Sequence, residues 1–370
     1  MTDADWAARS APELPADDWS WQRAVTELTR RDAPATGVRA QLDARLAALA
    51  VPPGSLGRLA DVLAAGVAAT GTMAGPPDRP TLVVAAGDHG LHARGVSPWP
   101  QTISTAVAGA IARGDAAAGV LARDVGVRVV VLDVGLATAA EAHPRLLARP
   151  VRRGTRDALG PSGALTATET AGALATGAAL AHTLIDEGTD LLLLGDVGIT
   201  NTTASAALIA TLLAVEPAAV TGRGSGIDDA TLARKREVVA TLVARAAGRD
   251  PVEVLAGIGG AEHAATVGVL LAAAERRVPV LLDGLISAAC GVVATALTSA
   301  VGPTMIAGHR PPEPAAAIAL ESLGLRPLLD LELRVGEGTG ALLALPLLRA
   351  AWTLLEQTVT LEDLAAHGSG

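Results

Sequence analysis

The sequence predicts an α/β protein, Rossmann-like, with a parallel sheet covered by helices on both faces. Three observations carry this reading. After Pro80, short uninterrupted runs of Val, Leu and Ala alternate with longer Ala-rich amphipathic stretches, and each run ends in a turn rich in Gly, Asp or His. Strands that are apolar at every position, rather than at every second one, belong to sheets buried on both faces. Ligands of such sheets collect outside the carboxyl ends of the strands, where these polar turns fall.

Taken in order, residues 1–35 carry Pro12, Pro15 and Pro34, acidic residues and three tryptophans, Trp6, Trp19 and Trp21. They read as a partly ordered extension. From Val38 to Leu49 the apolar positions Val38, Leu42, Leu46 and Leu49 share one helical face. The turn Val51–Gly57 ends that helix and another begins near Arg58, so residues 36–80 form a helical segment. The α/β region covers 81–345. Its strands are expected at Thr81–Ala86, Val127–Val134, Leu191–Leu194, Val278–Leu282 and Thr304–Ala307. They run into Gly87-Asp88-His89-Gly90, Gly135, Gly195-Asp196, Asp283-Gly284 and Gly308-His309-Arg310 respectively. A C-terminal helix and tail occupy 346–370.

Half of the 370 residues are apolar, which supplies a sizeable core, and it must be an Ala/Leu/Val core because Phe and Tyr are absent. The longest apolar stretches are broken well short of the ~20 residues that a bilayer span requires. No basic segment precedes an apolar one as in a signal peptide, so a cytoplasmic location is expected. A net charge of −9, with no basic run and few aromatics, argues against nucleic acid as a partner. Cys290 is alone, which excludes an internal disulfide and fits a reducing compartment; its small apolar neighbours mark it as a packed core thiol. The histidines form no pair at ligand spacing with Cys or carboxylates, so no metal and no resident cofactor are expected.

The chain contains one lysine, Lys235, and one asparagine, Asn201. Phe, Tyr, Lys and Asn are the residues of A/T-rich codons, so drift toward G/C accounts for their scarcity and for Arg standing where Lys would serve. A position that stays Lys in such a chain points to a need for a compact point charge, and a phosphate is a common reason. Both residues sit in glycine-rich surroundings: Asn201 in Gly195–Thr203, Lys235 at the end of the segment opened by Gly222–Asp229. Two further turns, Gly257–Gly260 and Gly336–Gly340, have the same character. Four such turns, read as lying at strand ends with two feeding helix N-termini, suggest backbone N–H groups held open for an anion. None is a P-loop or a proper dinucleotide fingerprint, and a nucleotide monophosphate or sugar phosphate suits them better.

In these segments the chain resembles the nicotinate-nucleotide–dimethylbenzimidazole phosphoribosyltransferase family. The likeness rests on Pro52–Leu59, Ala86–Gly90, Gly95-Val96-Ser97, Gly198–Thr203, Gly222–Lys235, Leu281–Gly284, His309-Arg310 and Leu328–Ala341, in unbroken order over roughly residues 38–355. It implies a homodimer with a smaller helical part built from both chain ends, and small-molecule substrates only: nicotinate mononucleotide and a benzimidazole-type base. The implied reaction moves 5-phosphoribose to the base with inversion at the anomeric carbon. By the same resemblance Glu337 is the base that takes the acceptor's proton, with Asp196 in the catalytic set. Lys235, Gly224 and Ser225 would hold the phosphate, and Gly198, Asn201, Thr202 and Thr203 would meet the donor. Ser97, Ala106 and Val335 would line the acceptor pocket.

On sequence alone Glu337 could instead cap the helix that follows, Asn201–Thr203 could form a helix N-cap, and Asp88, His89 and Asp283 could be structural. The chain also departs from the family pattern. It has Asp196 for a glutamate, Ala106 for a glutamine, Pro311 for a serine, Ala261 for an aromatic and His263 for an apolar residue. These changes keep two alternatives open: a related transferase with another aromatic acceptor, and a catalytically idle nucleotide-binding protein.

Overall fold

The expected strands form one sheet. In a computed structural model describing residues 3–15, 18–31, 36–224 and 226–367, six parallel strands stand in the order β3-β2-β1-β4-β5-β6. They are β1 (Pro80–Gly87), β2 (Arg128–Gly135), β3 (Leu146–Ala148), β4 (Leu191–Val197), β5 (Val280–Leu282) and β6 (Met305–Ala307). The helices are α1 (Asp3–Ala7), α2 (Trp21–Arg30), α3 (Thr36–Ala48), α4 (Arg58–Thr70), α5 (Thr102–Arg113), α6 (Ala117–Asp124), α7 (Ala167–Asp186) and α8 (Asn201–Leu213). They continue with α9 (Pro217–Val220), α10 (Asp229–Ala246), α11 (Pro251–Ile258), α12 (Ala261–Arg276), α13 (Leu285–Leu297), α14 (Pro314–Ser322), α15 (Thr339–Gln357) and α16 (Leu361–His367).

Uninterrupted apolar strands work here because alternate side chains serve two cores. Val83, Val130, Leu132, Leu192 and Leu282 enter one core, with α7, α8, α12 and α13. Leu82, Val84, Val131, Leu193 and Leu281 enter the other, with α3, α4, α5 and α15. Each fully buried Leu or Val contributes about 1.5–3 kcal/mol relative to exposure, and a sheet covered on one side would forfeit half of them.

The strand order runs outward in both directions from β1 and β4, whose parallel register pairs Val84 with Gly195 and Ala85 with Asp196. Between the carboxyl ends of these two strands lies the crevice that a doubly wound sheet offers to ligands. The opposite, amino-terminal ends of β1 and β2 are covered by the N-terminal segment. Trp6 is 1 % exposed, donates its indole N–H to the Pro80 carbonyl at 2.9 Å and lies under the Arg128 guanidinium. Trp19 and Leu28 join the core from the same segment.

Several boundaries differ from the sequence reading. The edge strand β3 was not expected; its three residues leave no run to read. Strand β4 continues through Gly195, Asp196 and Val197 before the turn begins. Of the four glycine-rich turns, only Gly195–Thr203 follows a strand; Gly222–Asp229 joins α9 to α10, Gly257–Gly260 joins α11 to α12, and Gly336–Gly340 opens α15. Helix α15 also runs unbroken across position 346, with Pro346 inside it.

Candidate active site

The crevice holds a cavity of about 260 Å³ bounded by the ends of β4, β5 and β6 and by α5. Asp196, Gly198, Asn201, Thr202, Gly224, Val335 and Glu337, all singled out from sequence, line it. Lys235 stands behind Thr202 and Gly224, and Thr203 is buried beneath the surface. Ser97 accepts the Trp99 N–H at 3.2 Å away from the lining, and Ala106 is exposed, its neighbours Ile103 and Val107 facing the cavity instead. Ser225 lies outside the described residues.

Glu337 is set by long-range packing. Its backbone is left-handed, φ +61°, a conformation that costs a non-glycine residue roughly 1–3 kcal/mol and persists only where the surroundings impose it. Two contacts impose it. Gly195 is bare where the turn passes, and a Cβ there would sit 2.4 Å from the Glu337 carbonyl oxygen. Asp283, at the end of β5, accepts the N–H groups of Gly338, Gly340 and Ala341 at 3.1, 2.7 and 3.2 Å. Asp283, then, caps α15, and Glu337 is free of that duty. Its carboxylate accepts the Ala118 N–H at 3.2 Å. Burial pushes its pKa up, the Ala118 hydrogen bond opposes this, and the charge of Asp283 adds to the rise.

Asp196 shares the crevice. Asn201, on the first turn of α8, donates its side-chain N–H to Asp196 Oδ2 at 2.8 Å; the residue in the N-cap position is Thr200, left-handed at φ +74°. Burial, then the charges of Asp283 and Glu262, push Asp196 up to about 8. The folded carboxyl keeps its proton to about pH 8 while the unfolded one loses it near 3.8, so stability falls as pH rises through that window. Asp196→Asn should remove the fall. By scanning calorimetry its unfolding midpoint should match the parent's below about pH 4 and exceed it by at least ~2 °C near pH 8; equal midpoints near pH 8 would contradict the shift.

Ser104 Oγ donates to Asp88 Oδ1 at 2.5 Å and accepts the Ile199 N–H at 3.0 Å. Asp88 therefore ties the β1 end to the turn after β4, the structural role that sequence left open. Behind the crevice, His89, Glu262 and His263 are buried with ligand-capable atoms within 4.8 Å of one another, a grouping that the linear spacing of the histidines conceals. These atoms are engaged with each other: His89 Nε2 lies 2.6 Å and His263 Nδ1 2.7 Å from Glu262 Oε1. Burial opposes the Glu262 charge, but the two imidazoles outweigh it and hold the carboxylate well below its ordinary range. Cys290 is buried, its thiol pushed up by burial, and donates to the His263 carbonyl.

Lys235 supplies the cation. It is 2 % exposed, and its Nζ donates to Thr202 Oγ1 and to the Gly222 carbonyl, each at 3.0 Å. Burial lowers it to about 8. Sequence reasoning missed Glu313, whose carboxylate accepts the Gly224 N–H at 2.7 Å; it stands 89 positions away, and its only local signal was its place just beyond the end of β6.

Comparison with known proteins agrees with this layout. The profile of a family described as phosphoribosyltransferase matches residues 32–365. The nicotinate-nucleotide–dimethylbenzimidazole phosphoribosyltransferase of Salinispora tropica is 44 % identical over 359 residues, covering 92 % of this chain and 98 % of its own. The protein of the same name from Deinococcus radiodurans is 43 % identical, covering 94 % and 97 %. The crystal structure of CobT from Thermus thermophilus superposes with a TM-score of 0.85 at 43 % identity, covering 89 % of this chain and 98 % of that one. Among the described residues no helix is long and apolar enough to cross a membrane. The chain belongs to the nicotinate-nucleotide–dimethylbenzimidazole phosphoribosyltransferase family.

Proposed function

We propose that this chain transfers 5-phosphoribose from nicotinate mononucleotide to 5,6-dimethylbenzimidazole, giving α-ribazole 5′-phosphate and nicotinate. The observation that supports this most is one cavity with two chemically different sets of lining residues. Ile103, Val107, Leu333 and Val335 supply apolar surface suited to a flat base, and Glu337 lines the same cavity. Asn201, Thr202 and Gly224, the last two backed by Lys235, supply groups suited to an anion.

The steps balance with these groups alone. An acceptor ring nitrogen forms a bond to C1′ while the C1′–pyridinium bond breaks, its electron pair returning to the departing ring. That ring leaves uncharged at nitrogen, so it needs little acid help, and the sugar passes through an oxocarbenium-like state. The acceptor becomes cationic, and the proton on its other nitrogen passes to Glu337. Asp196, raised to about 8 by burial, accepts the Asn201 amide and in this reading positions it.

The test is product formation read by mass from nicotinate mononucleotide with dimethylbenzimidazole, adenine or a phenol. Dimethylbenzimidazole ribotide with nicotinate released is the expected result; no product from any acceptor, despite donor binding, would overturn the reading. Gly195→Ala tests the placement of Glu337: displacing the turn by about 1 Å should lower kcat ~10²-fold, with circular dichroism unchanged, and a near-normal kcat would break the link. A homodimer in the cytoplasm completes the reading; the exposed side chains of Trp99, Leu331 and Val335 offer apolar surface that supports an interface.

A further inference from the structure

One carboxylate in this crevice has no part in the chemistry just described. Glu313 precedes Pro314 at the start of α14, yet its side chain makes no capping bond to that helix. It reaches instead across the cavity wall to the Gly222–Gly224 turn. Its Oε1 accepts the Gly224 N–H at 2.7 Å. Its Oε2 is buried with no hydrogen-bond partner and rests on bare Gly222, where a Cβ would lie 2.1 Å away. The carbonyl of that same Gly222 accepts from Lys235 Nζ. So an anionic group with two oxygens occupies a glycine turn, on one backbone N–H, beside a buried ammonium. Those are the partners a phosphate takes in such turns.

We propose that Glu313 is an internal anion seated in the phosphate cradle of the free enzyme, displaced by the donor's 5′-phosphate, and that it thereby selects doubly charged phosphate over weaker anions. This rests on the reading that Gly224 and Lys235 hold the donor phosphate. A dianion offers the N–H and the ammonium more charge than a carboxylate does and can displace it. A singly charged carboxylate offers no such gain. The unpaired Oε2 makes the carboxylate a replaceable occupant rather than a fully satisfied structural bridge. Neutralising it without changing its shape should free the cradle.

The experiment compares parent, Glu313→Gln, Glu313→Asp and Lys235→Ala, titrated by calorimetry with inorganic phosphate, with nicotinate mononucleotide and with the unphosphorylated nicotinate riboside. If the carboxylate holds the cradle about nine-tenths of the time, Glu313→Gln binds phosphate and mononucleotide ~10-fold tighter, because apparent affinity scales with the free fraction. The riboside should bind as before, Glu313→Asp should fall between, and Lys235→Ala should lose phosphate binding. Phosphate binding that depends on Lys235 but is unchanged or weakened in Glu313→Gln overturns the proposal and leaves the donor site standing. Riboside affinity that falls in Glu313→Gln also overturns it, since the carboxylate would then serve the sugar. No phosphate or mononucleotide binding by parent or variants overturns both this proposal and the reading beneath it.

Discussion

Glu337→Gln lowers kcat by about 10²–10⁴-fold, the usual worth of a positioned general base, and leaves donor affinity nearly intact. Gln keeps the length of the side chain and can still accept the Ala118 N–H that Glu337 Oε2 takes at 3.2 Å. The turn itself is fixed by Asp283 and Gly195, not by the carboxylate, so the variant should fold unchanged. What disappears is the basicity that lets this side chain take the acceptor's proton. The pH profile sharpens the test. Burial raises Glu337, and a base works ionised, so parental kcat should climb with pH through that raised value and then level. The climb should vanish in the variant. Retention of about a tenth or more of parental kcat, or a profile with the same climb, would take the proton-accepting role away from Glu337.

The parts of this protein that sequence made legible are those set by local pattern. Strands β1 and β4 are apolar at successive positions because both of their faces are covered, and that is visible one residue at a time. The helix carrying Leu42 and Leu46 shows its face for the same reason. What sequence hid is set by distance. Leu146–Ala148 becomes a strand only because β2 offers it an edge. Asp283 looked like any acidic residue after a strand until α15 brought three N–H groups to it, 55 to 58 positions on. The Asn201 segment read as a possible cap, yet the cap position falls on Thr200 and the Asn201 amide goes to Asp196. Glu313 illustrates the limit best. An acidic residue before proline is an ordinary way to begin a helix, and nothing near it in the chain announces a glycine turn 89 residues earlier.

Lys235→Ala should raise the donor KM about 10²-fold, the effect of truncating a buried, charge-assisted partner worth about 3 kcal/mol, and should do so without lowering the unfolding midpoint at pH 7. The second half follows from the sign of its shift. Burial lowers this ammonium from 10.5 to about 8, so at pH 7 the folded state carries a cation that the unfolded chain holds more readily. Stability from this group is lowest below about pH 8 and recovers as pH rises toward 10.5. The penalty is about 3 kcal/mol at neutral pH, enough to offset the hydrogen bonds to Thr202 and Gly222 at roughly 1 kcal/mol each. Function and stability therefore pull in opposite directions at one residue. Lys235→Arg separates charge from shape. The guanidinium keeps the charge, but a site 2 % exposed and threaded between Thr202 and Gly222 has no place for a planar fork. Kinetics of the arginine variant with nicotinate mononucleotide should resemble those of the alanine variant. An arginine that restored the donor KM would show that charge alone suffices there, and the survival of one lysine in a chain that uses arginine elsewhere would lose its physical reason.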